Sequence, residues 1–158
     1  MNNIEQLRKL MQENSISGLA VVPGPNMSYL TGSKFHLSER PVVLIIEQNK
    51  STFILPELES AKVSGLDADC ITYDDKDGPS KAFTQFSENN NFTELGIESR
   101  TIRHLELDLF RQQGLLQNLL MSLIYLLNYG CQNLRKKKNV WLRQLRLHKN
   151  HWNPHFIK

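Results

Sequence analysis

The strongest constraint on the fold lies at Pro41-Val-Val-Leu-Ile-Ile46, a run without a polar side chain and rich in β-branched residues. It reads as a strand, and Gln48-Asn49-Lys50 turns it into a second strand over residues 51–55, so the pair is a hairpin. Leu19-Ala-Val-Val22 is another unbroken apolar run, the pattern of a strand buried on both faces. Such a strand needs cover on both sides. Ile4, Leu7, Leu10 and Met11 recur at helical spacing, with Glu5, Arg8, Lys9, Gln12 and Glu13 on the opposite face. This first helix is expected to close near Ser17-Gly18, where glycine takes a left-handed cap.

Pro23-Gly24-Pro25-Asn26 breaks the first strand with turn chemistry, and a short helical turn over residues 27–31 stops at Gly32. Residues 57–64 favour helix and residues 68–73 a strand. Asp74-Asp75-Lys76-Asp77-Gly78-Pro79 is a charged loop, followed by an amphipathic helix with Ala82, Phe83 and Phe86 on one side. Leu95-Gly-Ile-Glu98 is a further short strand and residues 101–112 a last helix. Alternating helix and buried strand with one hairpin predicts an α/β fold, a mixed β-sheet flanked by α-helices.

Charge divides the chain. Residues 1–108 set ten Lys and Arg against all sixteen acids, a net −6, whereas residues 109–158 hold nine basic residues and no acid, a net +9. The expected organisation is therefore a domain over residues 1–112 and an irregular basic tail over residues 113–158, poorly ordered or the product of a frameshift. The leucine-rich residues 115–127 are interrupted by Gln117, Asn118 and Ser122 and fall short of the roughly 20 apolar residues of a membrane span. The N-terminus carries early charges and no apolar run, unlike a signal peptide. Cys70 and Cys131 lie in opposite segments without metal-site spacing, which fits a reducing compartment. The expectation is a soluble, cytoplasmic protein with no membrane partner.

Asn26-Met-Ser-Tyr-Leu-Thr-Gly32, the loop Phe35-His-Leu-Ser-Glu-Arg-Pro41 and the apolar strand after it carry a resemblance. So do Leu55-Pro-Glu-Leu-Glu59 and Leu95-Gly-Ile-Glu98. In this order they resemble the N-terminal domain of the creatinase/prolidase family, and among its members the Xaa-Pro dipeptidases. The family's loop reads His-Glu-Arg. Here Ser38 stands at the position of that His, and His36 comes two residues earlier. The resemblance covers about residues 1–112. It implies an N-domain that builds a dimer and lends residues to the rim of an active site, and on that basis His36, Glu39 and Arg40 are the candidate substrate-rim residues. No catalytic residue and no metal ligand is assigned to this chain. In the family two divalent metal ions are held by Asp, His and Glu of a second, pita-bread domain, where they activate a water. The acid-free segment after Asp108 cannot supply those carboxylates, so no cofactor is expected in this chain and no peptidase activity from it alone.

The family continues with an acidic helix. Codon degeneracy lets Arg146-Leu-His-Lys-Asn-His-Trp152 be an out-of-frame reading of Glu-Ile-Ala-Gln-Lys-Ser-Leu, which is the basis for the frameshift expectation. Three readings of function follow. The first is an isolated, inactive N-terminal domain of an Xaa-Pro dipeptidase-like protein, forming a homo-oligomer or joined by a catalytic-domain partner. The second is one half of a split metallopeptidase. The third is a small nucleic-acid-binding protein using Lys136-Lys-Lys138, Trp141 and Trp152, for which no binding motif provides a frame.

Single residues also have plain structural readings. Arg40 pairs locally in a solvated loop, Tyr29 packs its ring and Asn26 holds a turn. Asp74, Asp75 and Asp77 form a solvated loop rather than a calcium site, because Pro79 follows Gly78 and no Glu occupies the twelfth position. His148, His151 and His155 support adventitious metal binding at most.

Overall fold

A computed structural model describes residues 3–90, 95–98, 100–115 and 119–121. Cys131, the three histidines of the tail, its lysine run and both tryptophans lie outside the described residues, as does most of the leucine-rich stretch. The elements are helices α1 (Asn3–Glu13), α2 (Pro25–Thr31), α3 (Ser80–Glu88) and α4 (His104–Gln112), and strands β1 (Gly18–Val21), β2 (Val43–Glu47), β3 (Ser51–Pro56), β4 (Asp69–Tyr73), β5 (Leu95–Ile97) and β6 (Leu119–Met121). Among the described residues the strands form one mixed sheet in the order β4-β3-β2-β1-β5-β6. β1 runs antiparallel to β2 and parallel to β5, β2 and β3 form the hairpin, and β3 runs parallel to β4. The α/β fold with a mixed sheet flanked by helices is thus observed.

Register decides which residues share a face. Ala20 stands opposite Ile45, and Val43 opposite Ile54. These side chains join Ala82, Phe83 and Phe86 of α3 and Leu109 and Phe110 of α4 in one buried cluster. Phe83 and Phe110 meet edge to face at 5.2 Å. On the opposite face Leu19 pairs with Ile46, and Leu44 with Phe53. Leu7 and Met11 of α1 and Met27 and Leu30 of α2 are buried there. Arg8 ties α1 to the hairpin, its Nε donating to the Glu47 carbonyl at 2.9 Å and its Nη2 to Ser51 Oγ at 3.0 Å. Among the described residues no helix is long and apolar enough to cross a membrane.

Two local expectations are corrected and one is made specific. The cap of α1 is Ser15, at φ 57°, not a glycine. Ser15 N–H donates to the Gln12 carbonyl at 3.2 Å and Ile16 N–H to the Met11 carbonyl at 2.9 Å, the two bonds of a Schellman ending. Gly18 is left free to open β1. Residues 57–63 form the expected helix, and it is a 3-10 helix. They lie on the crossover that returns the chain from the end of β3 to the start of the parallel β4, and the longer rise of the tighter helix covers more of that distance per residue. Finally, α4 starts at His104, because Thr101 and Ile102 N–H groups close a turn on the Glu98 carbonyl at 3.1 and 2.9 Å.

Gly96 shows why β1 and β5 approach as closely as they do. A Cβ there would stand 2.9 Å from Leu19 Cδ1 and 3.7 Å from Ile16 Cγ2. Leu19 is fully buried, so its side chain has little room to yield. Gly96→Ala is therefore expected to lower stability by about 1–3 kcal/mol through overpacking. Urea unfolding checks this, and an unchanged midpoint would show that Leu19 repacks freely. Ser15→Gly should act in the opposite direction, raising stability by up to about 1 kcal/mol as the left-handed backbone loses its Cβ strain. The same unfolding measurement decides, and a drop in stability would count against the cap.

Candidate functional site

The loop between α2 and β2, residues 33–42, carries all three candidate rim residues and is anchored along its length. At its start Phe35 is buried against Phe53, ring centroids 6.0 Å apart, with Lys62 Nζ above its ring at 5.5 Å. Ser33 Oγ donates to the Lys62 carbonyl at 2.7 Å, joining the loop to the 3-10 helix.

The far end of the loop meets the C-terminal end of β4 and the start of α4. Tyr73 is buried, and its hydroxyl donates to the Pro41 carbonyl at 2.8 Å. Burial pushes the Tyr73 phenol well above its ordinary value, so the hydroxyl keeps its proton and stays a donor. Arg40 forms a bidentate pair with Asp75, Nε to Oδ1 and Nη2 to Oδ2 at 2.6 Å each. The hydrogen bond from Arg40 lowers the Asp75 carboxyl below its usual range. Arg103, just ahead of α4, donates through Nη1 to the Ser38 carbonyl. Its Nε donates to Glu106 Oε1 at 2.9 Å, and its backbone N–H to Glu106 Oε2 at 2.9 Å. Glu106 is fully buried, so its carboxylate is offset by a guanidinium and a helix N-terminal amide at once.

What the loop holds inward and what it presents outward are distinct. Ser38 folds the loop on itself, its Oγ accepting from Arg40 N–H at 3.2 Å. The side chains of His36 and Glu39 are exposed, and Leu37 is 53% exposed beside them. Arg40 shares their loop but is bound to Asp75. The acidic loop is likewise occupied by its neighbours. Asp74 Oδ1 accepts from Asp77 N–H at 2.7 Å, and Asp77 pairs with Lys81 at 2.8 Å. Among the described residues no group of three or more His, Cys, Asp or Glu side chains is placed to hold a metal ion.

Upstream of the loop, α2 is pinned by a buried polar contact. Asn26 Nδ2 donates to Glu98 Oε1 at 2.5 Å, joining residues 72 apart in sequence. Asn26 thus does more than hold a turn. Tyr29 is 46% exposed, because Asn26, Met27 and Leu30 form the buried face of this short helix. Sequence reading missed Tyr73, Asp75, Arg103 and Glu106 as the loop's supports. Only Arg103-x-x-Glu106, the spacing of a capping box, carried a signal that would have found one of them.

The fold has counterparts of known structure. The creatinase/prolidase N-terminal domain of an X-Pro dipeptidase from Streptococcus pyogenes superposes with a TM-score of 0.71 at 16% identity, over 80% of this chain and 97% of that one. The N-terminal domain of an Xaa-Pro dipeptidase from Lactobacillus brevis gives a TM-score of 0.64 at 19% identity, over 71% and 87%. A dipeptidase from Pyrococcus horikoshii matches with a TM-score of 0.65 at 22% identity, over 77% of this chain but 33% of that one. No curated protein sequence matches. The model of the creatinase/prolidase N-terminal domain matches residues 3–119, which reach into β6. On that match, with the mixed sheet and the loop in place, the chain belongs to the creatinase/prolidase N-terminal domain family.

Proposed function

We propose that this chain serves as the N-terminal domain of an Xaa-Pro dipeptidase-like protein, building a dimer and forming part of the rim of an active site whose catalytic machinery lies in another domain. The observation that carries this reading is the family match over residues 3–119. The chain accounts for nearly all of the Streptococcus pyogenes domain and about a third of the Pyrococcus horikoshii dipeptidase, 97% and 33% of their lengths. A loop anchored on its inner side, with His36 and Glu39 facing outward, suits a rim that must meet a substrate held elsewhere. A cytoplasmic setting and a homo-oligomer or catalytic-domain partner complete the proposal.

Purified chain supplied with manganese, cobalt or zinc is expected to leave Xaa-Pro dipeptides uncut. Hydrolysis needs a bound ion with an open position and an oriented water. Residues 109–158 hold no carboxylate side chain to build such a site. Turnover that a chelator abolishes would overturn this part of the proposal.

The rim assignment is tested by substituting residues 3–119 for the N-terminal domain of the Streptococcus pyogenes enzyme. In an active chimera His36→Ala and Glu39→Ala should raise KM several-fold with kcat little changed. Kinetics indifferent to both would remove these residues from the rim.

Association is the third expected outcome. Sedimentation should show concentration-dependent dimers that strengthen as salt screens the net +9 of residues 109–158. A strict monomer at high protein and high salt would refute the dimer-building role.

A further inference from the structure

The contact between Asn26 and Glu98 is chemically incomplete as an amide beside a carboxylate. Both side chains are buried, at 3% and 7% exposure. One hydrogen bond joins them, Asn26 Nδ2 to Glu98 Oε1 at 2.5 Å. The two atoms left over, Asn26 Oδ1 and Glu98 Oε2, are both buried oxygens without a hydrogen-bond partner among the described residues. An ionised carboxylate carries no proton to donate, so it cannot satisfy the amide oxygen. A carboxylic acid can. Its O–H and C=O match the C=O and N–H of a carboxamide, closing a planar ring of two hydrogen bonds. The two orphan oxygens are the two atoms that the second bond would join.

The surroundings also favour the neutral form. Burial raises the Glu98 carboxyl above its ordinary value, opposed by the nearby Thr101 hydroxyl, which donates to the Glu98 main-chain carbonyl at 3.4 Å, and by the hydrogen bond from Asn26. No charged group contributes to that balance. β1 carries no titratable side chain, and β5 ends before Glu98 without one. On α2 the only such group is Tyr29, whose side chain is half exposed. In the turn to α4 Arg100 is exposed, while Arg103 is committed to Glu106 and the Ser38 carbonyl. On α4 itself His104 and Arg111 pair with Asp108. A buried carboxylate without a cation is costly, and accepting a proton removes that cost.

We propose that Glu98 binds a proton in the folded domain at neutral pH and forms with Asn26 a closed acid–amide pair that pins the first turn of α2 to the end of β5. This is a proton-binding site independent of any peptidase role. It sits where α2 leads into the loop of residues 33–42, so loss of the proton opens one bond of the pin upstream of that loop.

The sign of the linkage follows. An unfolded glutamate releases its proton near pH ~4.3, whereas the folded group holds it to higher pH. Between those two values the folded state binds one proton more than the unfolded state. Stability from this site is fully present below the unfolded value and declines as pH rises, the unfolding constant growing about tenfold per pH unit until the folded group ionises.

The test is a carbon-13 NMR titration of the side-chain carboxyls of the full chain, with Glu98→Gln identifying the Glu98 signal. The expected result is a protonated signal at pH 7. A Glu98 signal that titrates in the ordinary glutamate range overturns the proposal. Glu98→Gln is also a structural test, since its amide offers a donor where the acid has one. It should fold at pH 7, and denaturant unfolding from pH 5 to 7 should lose the tenfold-per-unit dependence relative to the parent. A Glu98→Gln chain that is unfolded at pH 7 would show that the site needs a carboxylate, and one with the parent's pH dependence would show that the dependence arises elsewhere; either overturns the acid–amide pair.

Discussion

β1 is the constraint on which the domain depends. Its four residues are buried, and it is flanked by β2 on one edge and β5 on the other. Leu19 and Val21 need cover on the side of α1 and α2, while Ala20 needs it on the side of α3 and α4. Because β1 and β5 run parallel, the chain leaves both strands at the same end of the sheet. That brings α2 and the turn after β5 together and makes the Asn26–Glu98 contact geometrically available. Close approach of the two strands in turn requires Gly96, which lies under Leu19. The family phrases around Asn26 and Leu95-Gly-Ile-Glu98 are therefore two sides of one junction rather than separate signatures.

The loop of residues 33–42 inherits its position from this arrangement. Tyr73 ends β4 and Arg103 precedes α4, so sheet and helix each place one donor at the loop's carbonyls. The two charged supports differ in character. Glu106 is fully buried and meets Arg103 through several bonds, so breaking that side-chain pair leaves a buried charge held only by the Arg103 backbone N–H. Arg40 and Asp75 are largely exposed, with side-chain exposures of 40% and 61%, and water can replace either partner.

Strands were legible in the sequence because burial on both faces leaves unbroken apolar runs at Leu19-Ala-Val-Val22 and Val42-Val-Leu-Ile-Ile46. The hairpin followed from its short polar turn, and α3 from Ala82, Phe83 and Phe86. The cap of α1 was misplaced because glycine is the residue that signals a left-handed ending, and Ser15 adopts that backbone without announcing it. Supports of the loop were hidden for another reason. Arg40 and Asp75 are 35 residues apart, and Arg103 and Ser38 are 65 apart. In sequence each is one more charged or small polar residue on a solvated segment, and only the sheet order makes them neighbours.

That difference bears on how His36, Glu39 and Arg40 are read. As a sequence triplet they look equivalent, three polar residues in one loop. In the fold they divide, because the guanidinium fork of Arg40 matches the carboxylate of Asp75 in a bidentate pair, while His36 and Glu39 extend from the surface. Ser38 reinforces the division. Its side chain is short enough for the hydroxyl to bond the backbone of Arg40 two residues on and tighten the loop. With the loop fixed by its own backbone, by Tyr73 and by the buried Arg103–Glu106 pair, the groups it exposes are carried on a support whose position does not depend on them.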